Sequence, residues 1–354
     1  MDNVVNFLKS IPNKIYLISG ASMISLFAIK LYNMGPIAKV KKDIKGKIII
    51  VTGSHKGIAK ITALELINRG ATVIFACCDE TKAKEVINSI KDESLRQNAV
   101  YMHLDLSKLT SVMAFINKFK IRFRKLDYLI NNDDIISEDY MKTEDEMEIT
   151  LQTNYYSPVI LSVYLLDNLK SENGGCGGRI INVSSSHYKK SYRFDFKKLK
   201  SIIPEKYNFQ KEFSSCNQFS LSKACLNIFT QYLADISHQK QLGVQVCSLH
   251  PGIMLNCQSN LQYNSHNILT KFIFNIFQPI RWLYTQSDYR GCQTTLHCVN
   301  LENDEFVNGG YYGDCSEKEL LEFCKNKENI ESLVKFTKDM VKFYGQQLSI
   351  EIKV

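Results

Sequence analysis

Lys223 follows Phe219 by one helical turn in the segment CNQFSLSKACLN, residues 216–227. A lysine at that spacing faces the earlier side chain and can assist its chemistry. Phe219, however, cannot donate or accept a proton. The segment therefore has a lysine that could assist proton transfer but lacks a proton-exchanging side chain one turn before it. A second interpretation is a lysine that merely snorkels from its helix.

A glycine-rich loop, TGSHKGIA, lies between a short apolar run and the first helical pattern. Gly53 permits a tight turn, Gly57 allows close approach to a pyrophosphate, and the helix N-terminus supplies oriented N–H groups. Ala59 is small enough for packing of the helix against the strand. The loop predicts dinucleotide binding, and the alternative is a structural turn that has lost its ligand.

Short apolar runs alternate with helical patterns from residue 46 onward, which predicts a doubly wound (Rossmann) α/β fold with a seven-stranded, mostly parallel sheet. The predicted strands lie at 47–53, 71–78, 99–106, 126–132, 178–185 and 243–252. No repeat or low-complexity linker interrupts this region, so we expect a single domain over 46–320. An amphipathic pattern predicts a C-terminal helix within 321–354.

The N-terminal region divides into a segment at 1–13, an apolar stretch at 14–34 and a basic linker at 35–45. The apolar stretch is just long enough for a single membrane-anchoring helix. A cleaved signal peptide and an interfacial helix are the alternatives. The lysines that follow it predict that the main domain lies on the cytoplasmic or matrix side of the membrane.

Composition narrows the class of protein further. The chain has 354 residues, of which 45% are hydrophobic and 23% charged, and the net charge of +8 is not concentrated on one segment. Globular composition and dispersed charge argue against a nucleic-acid partner. The eleven cysteines lack metal-ligand spacing and a compact disulfide framework, so we expect a reducing compartment and no metal site.

Further motifs follow in order along the chain: LDL at 104–106, NN at 131–132, QTNYYSP at 152–158, IINVSS at 180–185 and HPG at 250–252. With the glycine loop, they resemble the short-chain dehydrogenase/reductase family over residues 46–315. Within that family, QTTLHC and GYYGDC resemble the membrane-anchored retinol dehydrogenases. The resemblance implies catalytic roles for Ser185, Lys223 and Asn154, with Phe219 at the position of the family's tyrosine. It implies cofactor contacts for Gly53, Ser54, Lys56, Gly57, Ile58, Asp105, Leu106, Asn131, Lys223, Pro251 and Gly252.

In active relatives of this kind, the tyrosine phenol exchanges a proton with the substrate oxygen. The lysine lowers the phenol pKa and binds the nicotinamide ribose, the serine holds the substrate oxygen, and the asparagine positions a water. Loss of positioned proton transfer costs on the order of 10²–10⁴ in rate. The tyrosines of the 186–215 region, Tyr188, Tyr192 and Tyr207, are candidates to replace the phenol. Ser185 also has a structural interpretation, as a cap at a strand end, and His250 is expected to be a packed loop residue.

Other departures from the family pattern concern the cofactor. Asp133 and Asp134 stand where two small neutral residues line the cofactor site. Cys78 replaces the subgroup's arginine, and Cys77 replaces the acid that would hold a ribose 2′-hydroxyl. Lys56 matches a basic position of NADP-binding relatives, so NADP is favoured over NAD.

Two functions remain open at this level. The first is a catalytically impaired, NADP(H)-binding or structural accessory subunit of a larger membrane complex, for which the mitochondrial respiratory chain is one setting. The alternative is an active NADPH-dependent oxidoreductase for lipid or retinoid aldehydes and alcohols. The aromatic segment 269–284 would suit such apolar substrates as a lid over the site. The expected location is accordingly the mitochondrial inner membrane or the endoplasmic reticulum.

Overall fold

The computed structural model describes residues 25–31, 33–40, 42–171, 175–193, 196, 213–253, 283 and 285–348. Its strands are β1 Ile48–Thr52, β2 Thr72–Cys77, β3 Ala99–His103, β4 Tyr128–Asn131, β5 Arg179–Val183, β6 Gln245–Leu249, β7 Tyr311–Gly313 and β8 Ser316–Lys318. They form one sheet in the order β3-β2-β1-β4-β5-β6-β7-β8. The doubly wound α/β prediction is therefore confirmed.

The described sheet has eight strands rather than the predicted seven. Strands β1 to β7 pair in parallel, and β8 pairs antiparallel with β7. Asp314 and Cys315 join β7 to β8, and both have positive φ, at 50° and 51°. Two such residues form the type of turn that suits a two-residue hairpin, but Asp-Cys is not its usual sequence. The hairpin therefore escaped prediction.

In the part of the chain that the structure describes, seven longer helices flank the sheet: α1 Gly57–Asn68, α2 Glu80–Asn88, α3 Leu109–Arg122, α4 Ser157–Tyr164, α5 Ser215–Gln239, α6 Asp288–Asn300 and α7 Lys327–Leu348. Shorter helical segments lie at Glu93–Arg96, Ile149–Leu151, Leu166–Leu169 and Glu322–Lys325. A π-helical turn, Gln152–Tyr156, precedes α4, and a 3₁₀ segment, Ser186–Arg193, follows β5. The predicted C-terminal helix is thus two helices, because Asn326 between them is extended.

Alternating side chains of the buried strands supply two apolar cores, one on each face of the sheet. On β1, Ile50 belongs to the core that also contains Phe115 of α3 and Phe336 of α7. Its neighbours Ile49 and Val51 point to the opposite core, with Leu66 of α1 among others. Both faces of β1 are buried, which is why it is a continuous apolar run rather than an alternating one.

Helix α5 is buried along most of its length, including its polar residues Ser220, Ser222 and Lys223. Ser214 caps its N-terminus by accepting a hydrogen bond from the Asn217 N–H. The helix packs against the 3₁₀ segment, β6 and α7. A lysine in such a position needs specific partners, because burial penalises an unpaired charge.

The chain order reverses between β1 and β4. From β1 the sheet extends through β2 to β3 in one direction, and from β4 through β5 to β8 in the other. Loops after the carboxyl ends of two such strands diverge and leave a crevice between them. The glycine loop follows β1 and the Asp133–Asp134 pair follows β4, so both lie at this crevice.

Most of the predicted anchor, 14–34, lies outside the described residues. Residues 25–31 are helical, with Leu26, Phe27 and Leu31 exposed. Of the helices that the structure describes, none is both long and apolar enough to cross a membrane. The anchor therefore remains a prediction. The predicted lid at 269–284 also falls outside the described residues, apart from residue 283.

Candidate active site

The glycine loop makes the turn from β1 into α1 that its sequence predicts. Gly53 and Gly57 have positive φ, at 70° and 52°. Lys56 is the N-cap of α1 and its side chain makes no capping hydrogen bond. Nothing among the described residues lies within 4 Å of a Cβ placed at Gly57. Because Lys56 does not cap them, the first N–H groups of α1 are available to a phosphate.

Beside the loop lies a cleft of about 520 Å³. Its lining includes several predicted site residues, namely Gly53, Lys56, Gly57, Ile58, Ser185, Phe219, Pro251 and Gly252. It also includes residues that sequence reasoning did not select, among them Ile135, Ile136, His187, Ile253 and Asp288. Since the isoleucines and Phe219 give it an apolar wall, the cleft suits a hydrocarbon ligand next to a polar one.

Phe219 and Lys223 face each other on α5 as their spacing predicts. The Phe219 side chain is 2% exposed, and the Lys223 ammonium lies 5.5 Å from the centre of its ring. Lys223 Nζ donates to the Val183 carbonyl at 2.9 Å and pairs with Asp134 Oδ2 at 2.7 Å. These two partners hold the buried charge, so Lys223 is not a snorkelling residue.

Among the described residues, no tyrosine lines the cleft. The Tyr188 ring is buried against Tyr311, and its hydroxyl accepts a hydrogen bond from the Leu321 N–H. Tyr192 is exposed, and Tyr207 lies outside the described residues. Neither Tyr188 nor Tyr192 therefore brings a phenol to Phe219.

Asp133 and Asp134 bring two carboxylates to the cleft. Both Asn132 and Asp133 donate backbone N–H groups to Thr52 Oγ1 at 2.9 Å, which ties this turn to the end of β1. The Asp133 carboxyl lies against Gly53, and its Oδ1 is 3.6 Å from Lys56 Nζ. Burial raises the pKa of Asp133, opposed by Lys56 and reinforced by Asp134.

The two predicted asparagines make structural hydrogen bonds around the site. Asn154, in the π-helical turn, bonds both backbone groups of Ile135 at 2.9 Å and donates to Ser222 Oγ at 3.1 Å. Asn131 is buried and donates to Asn182 Oδ1 at 2.8 Å. Neither lines the cleft. Asn154 thus positions the Ile135 segment of the cleft wall against α5.

The remaining predicted residues belong to the fold around the cleft. Asp105 accepts hydrogen bonds from Ser107, and Leu106 is buried in the core; neither lines the cleft. Ser54 is buried, with no hydrogen-bond partner for Oγ among the described residues. His250 packs against Tyr311 as expected, and burial lowers its pKa.

His187 is a polar cleft residue that sequence reasoning missed. Its ring lies 6.1 Å from the Phe219 ring, at 68°, and its Nδ1 lies 3.2 Å from Ser185 Oγ. The signal was present in the letters SSSHY, two positions after Ser185. Only the 3₁₀ turn after β5 brings the imidazole back beside that hydroxyl.

The residues present fit a nicotinamide dinucleotide, most openly at the glycine loop. The uncapped α1 N-terminus and the unpartnered oxygens of Ser54 and Asn132 offer donors and acceptors there. At the opposite end of the cleft, near Lys223, binding of the nicotinamide ribose is more restricted, because Lys223 is already paired with Asp134. For a metal the described residues offer no group of three or more histidine, cysteine or acidic side chains.

Comparison with known proteins agrees with this fold and cleft. The short chain dehydrogenase family model matches residues 47–194. Retinol dehydrogenase 12 of Mus musculus is 30% identical over 307 residues, covering 86% of this chain and 90% of its own. Retinol dehydrogenase 14 of Homo sapiens is 33% identical over 291 residues, covering 78% and 80%. The chain belongs to the short-chain dehydrogenase/reductase family, in the retinol dehydrogenase-like subgroup.

Solved structures support the fold alone, since their sequences are distant. An uncharacterised protein from Mycobacterium paratuberculosis superposes with a TM-score of 0.65 at 21% identity, covering 87% of this chain and 98% of that one. A short chain dehydrogenase from Salmonella enterica gives 0.53 at 18% identity, covering 78% and 99%.

Proposed function

We propose that this chain is a nicotinamide-dependent oxidoreductase that interconverts apolar alcohols and aldehydes, with retinoids as the model substrates. The observation that carries the proposal is the cleft, where the glycine loop, Ser185 and an apolar wall meet at the reversal point of the sheet. The printed names of the relatives, retinol dehydrogenases 12 and 14, point to the same class of substrate. This is the function that the sequence left as its alternative.

NADP(H) is the cofactor we infer for this site. When bound, it supplies or accepts the hydrogen and electron pair at the substrate carbon. Gly53, Gly57 and the α1 N-terminus would hold its phosphates, with Lys223 at the ribose end. The Lys56 side chain is 56% exposed at the loop, and its ammonium lies 3.6 Å from Asp133 Oδ1. It supports NADP(H), because a 2′-phosphate would add an anionic partner.

The N-terminal segment supports a substrate drawn from a membrane. Lys30 Nζ donates to the Thr285 carbonyl at 2.7 Å, and Arg290 donates to the Gly35 carbonyl at 2.9 Å. Gln286 lies against Gly35 and against Gly252, which lines the cleft. An anchor before residue 35 would therefore place the bilayer on the side of the chain that leads to the cleft. We propose a single-pass membrane location with the catalytic domain on the cytoplasmic side.

A second candidate is a cofactor-binding protein without turnover. Phe219 in the tyrosine position and the Asp134 partner of Lys223 favour it. Its further assignment to a mitochondrial or respiratory complex has no support among the relatives or the described residues, and it stays a prediction.

Turnover by the full chain in detergent micelles decides between the candidates. With all-trans-retinal and either NADPH or NADH, we expect reduction at about 0.01–0.1 per second, below the ordinary 1–10 per second because the phenol is missing. NADPH should be preferred. The Phe219→Tyr variant should be about 10² faster, since it restores a positioned acid beside Lys223 and Ser185.

Three outcomes separate the possibilities. Wild-type reduction supports the proposal. NADPH binding without wild-type turnover, but with turnover by Phe219→Tyr, establishes the second candidate instead. If neither protein binds NADPH at millimolar concentration, about −4 kcal/mol on the affinity scale, both are wrong.

A further inference from the structure

The 3₁₀ turn after β5 places a titratable ring beside the hydroxyl that faces the cleft. His187 Nδ1 is 3.2 Å from Ser185 Oγ, and both residues line the cleft with Phe219. We propose that His187, acting through Ser185, exchanges the proton with the substrate oxygen that Phe219 cannot exchange. This inference rests on the proposed function, because it needs a carbonyl or alcohol oxygen at Ser185.

The turn holds the imidazole in place by several contacts. The His187 N–H donates to Ser185 Oγ at 3.3 Å, and the Tyr188 N–H donates to the Ser185 carbonyl at 3.1 Å. Tyr188 is buried and its hydroxyl accepts from the Leu321 N–H. The His187 ring is only partly buried and meets Phe219 edge to face. A turn held by hydrogen bonds, with the imidazole in the lining of the cleft, is what a proton relay requires.

Two other acidic residues at the cleft already lie beside lysines. Asp134 pairs with Lys223, and Asp133 lies 3.6 Å from Lys56. Asp288 is the first residue of α6. Among the described residues, His187 is the one titratable side chain that hydrogen-bonds Ser185.

The proton step balances without a further reagent. In reduction, the substrate C=O would become a C–O single bond with the hydrogen and electron pair that the cofactor, when bound, would supply. The oxygen then forms a bond to the Ser185 hydroxyl proton as that O–H bond breaks. Ser185 regains a proton from Nδ1 of the His187 imidazolium, and solvent reprotonates the neutral ring. Oxidation of an alcohol runs the same transfers backward, with neutral His187 accepting the proton.

The pH dependence follows from the surroundings of His187. Burial lowers its pKa from 6.5, and the positive charge of Lys190 lowers it further. On α5, which packs against this turn, Cys216 contacts Lys190, and Lys223 pairs with Asp134. Reduction needs the imidazolium, so its kcat should fall as pH rises through a midpoint below 6.5. Oxidation needs the neutral ring and should rise over the same range.

The test replaces the ring and follows kcat, KM and pH together. With NADPH and decanal, His187→Gln should lower the kcat of reduction by about 10- to 100-fold, change KM less than about threefold, and remove the inflection below pH 6.5. His238→Gln, at the exposed end of α5, is the matched control and should behave as wild type. Phe219→Tyr added to His187→Gln should restore the rate, because the phenol bypasses the relay.

Several results would overturn the inference. Equal kcat in wild type and a folded His187→Gln protein overturns it while leaving the proposed function intact. If His187→Gln fails to fold, the wild-type profile decides, and a reduction rate without an inflection below pH 6.5 overturns it. Absence of wild-type turnover, with activity in Phe219→Tyr, overturns both the inference and the proposed function.

Discussion

At the scale of single residues, two adjacent carboxylates set the charge at the glycine-loop end of the cleft. Asp133 and Asp134 face a loop that we propose to hold a pyrophosphate, so at least one carboxylate lies near an anion. Asp134 is compensated by Lys223 at 2.7 Å. Asp133 has a weaker partner, since Lys56 is 3.6 Å from an oxygen that accepts no hydrogen bond among the described residues. Asp133 is therefore the less favourable of the two charges.

Asp133→Asn should stabilise the protein at neutral pH. A raised pKa means that the folded state favours the protonated carboxyl of Asp133. The contribution of Asp133 to folding stability is therefore complete below the unfolded pKa, about 3.9, and is lost as pH rises through the folded pKa. Removing the charge should raise the free energy of unfolding by about 1 kcal/mol at pH 7.5 and by less in acid. Urea unfolding at both pH values measures this.

Fluorescence titration should also show tighter NADPH binding by Asp133→Asn, because one anion is removed beside the loop. Asp304→Asn, on the exposed turn after α6, is the control and should change neither quantity. A loss of stability at pH 7.5 would mean instead that the Asp133–Lys56 pair holds the loop in shape.

At the scale of secondary-structure elements, Asp127 joins the starts of three adjacent strands. Its Oδ2 accepts the Ile48 N–H at 3.0 Å, its backbone N–H donates to the Ile48 carbonyl, and its own carbonyl accepts from Arg179. Lys47 and Lys125 pair with Oδ1 at 3.2 and 3.0 Å. Although burial raises the pKa of Asp127, the Ile48 N–H and the two lysines lower it overall.

Asp127→Asn should therefore destabilise the sheet, by about 2 kcal/mol at pH 7, since it weakens charge-assisted hydrogen bonds at a buried strand end. A lowered folded pKa gives stability that is present above the unfolded pKa, about 3.9, and is lost as pH falls through the folded pKa. The difference between the proteins should thus shrink in acid. Urea unfolding from pH 7 to pH 3 follows it.

The control for this variant is Asp167→Asn. Asp167 also pairs with a lysine, Lys170, at 2.6 Å, but the pair is exposed and worth at most about 1 kcal/mol. Equal losses in the two variants would show that Asp127 acts only as a surface charge.

At the scale of the whole molecule, the end of the predicted anchor and the segment after it contact the C-terminal half of the domain. The Ala38 N–H donates to Gln293 Oε1 at 3.1 Å, in addition to the Lys30 and Arg290 contacts. These contacts join the first described residues to α6 and the segment before it, beside Gly252 of the cleft. The orientation of an N-terminal anchor and the cleft mouth are therefore linked.

If residues 14–34 anchor the chain, the full-length protein should stay in the membrane pellet after alkaline carbonate extraction. A protein starting at residue 35 should be released, because removing about 20 apolar residues removes the span. Immunoblotting of pellet and supernatant measures both. Release of the full-length protein by carbonate would contradict the anchor, and retention of the shortened one would indicate a second membrane contact.

Features encoded locally were predictable from the sequence. The glycine loop, the alternation of strands and helices, and the spacing of Phe219 and Lys223 depend on residues close together in the chain, and each has the expected place in the structure. Strands were predicted two to five residues too long, as at 99–106 against Ala99–His103, where the buried Leu104 and Leu106 extend the apolar pattern beyond the strand end.

Tertiary structure alone decided which distant groups meet. The pairing of Asp134 with Lys223, and of Asp127 with the start of β1, joins residues about 80 to 90 positions apart through the order of the strands. His187 became a candidate because a 3₁₀ turn places it beside Ser185 and Phe219. In contrast, the side chains of Asp105, Asn131 and Asn154 form hydrogen bonds within the domain and do not line the cleft. The sequence determined the family and the glycine turn after β1, and it predicted that Phe219 stands at the family's tyrosine position. Which proton donor lies beside Phe219 depended on tertiary packing. Proton transfer requires two groups to be in contact, and the order of residues along the chain does not show which groups are in contact.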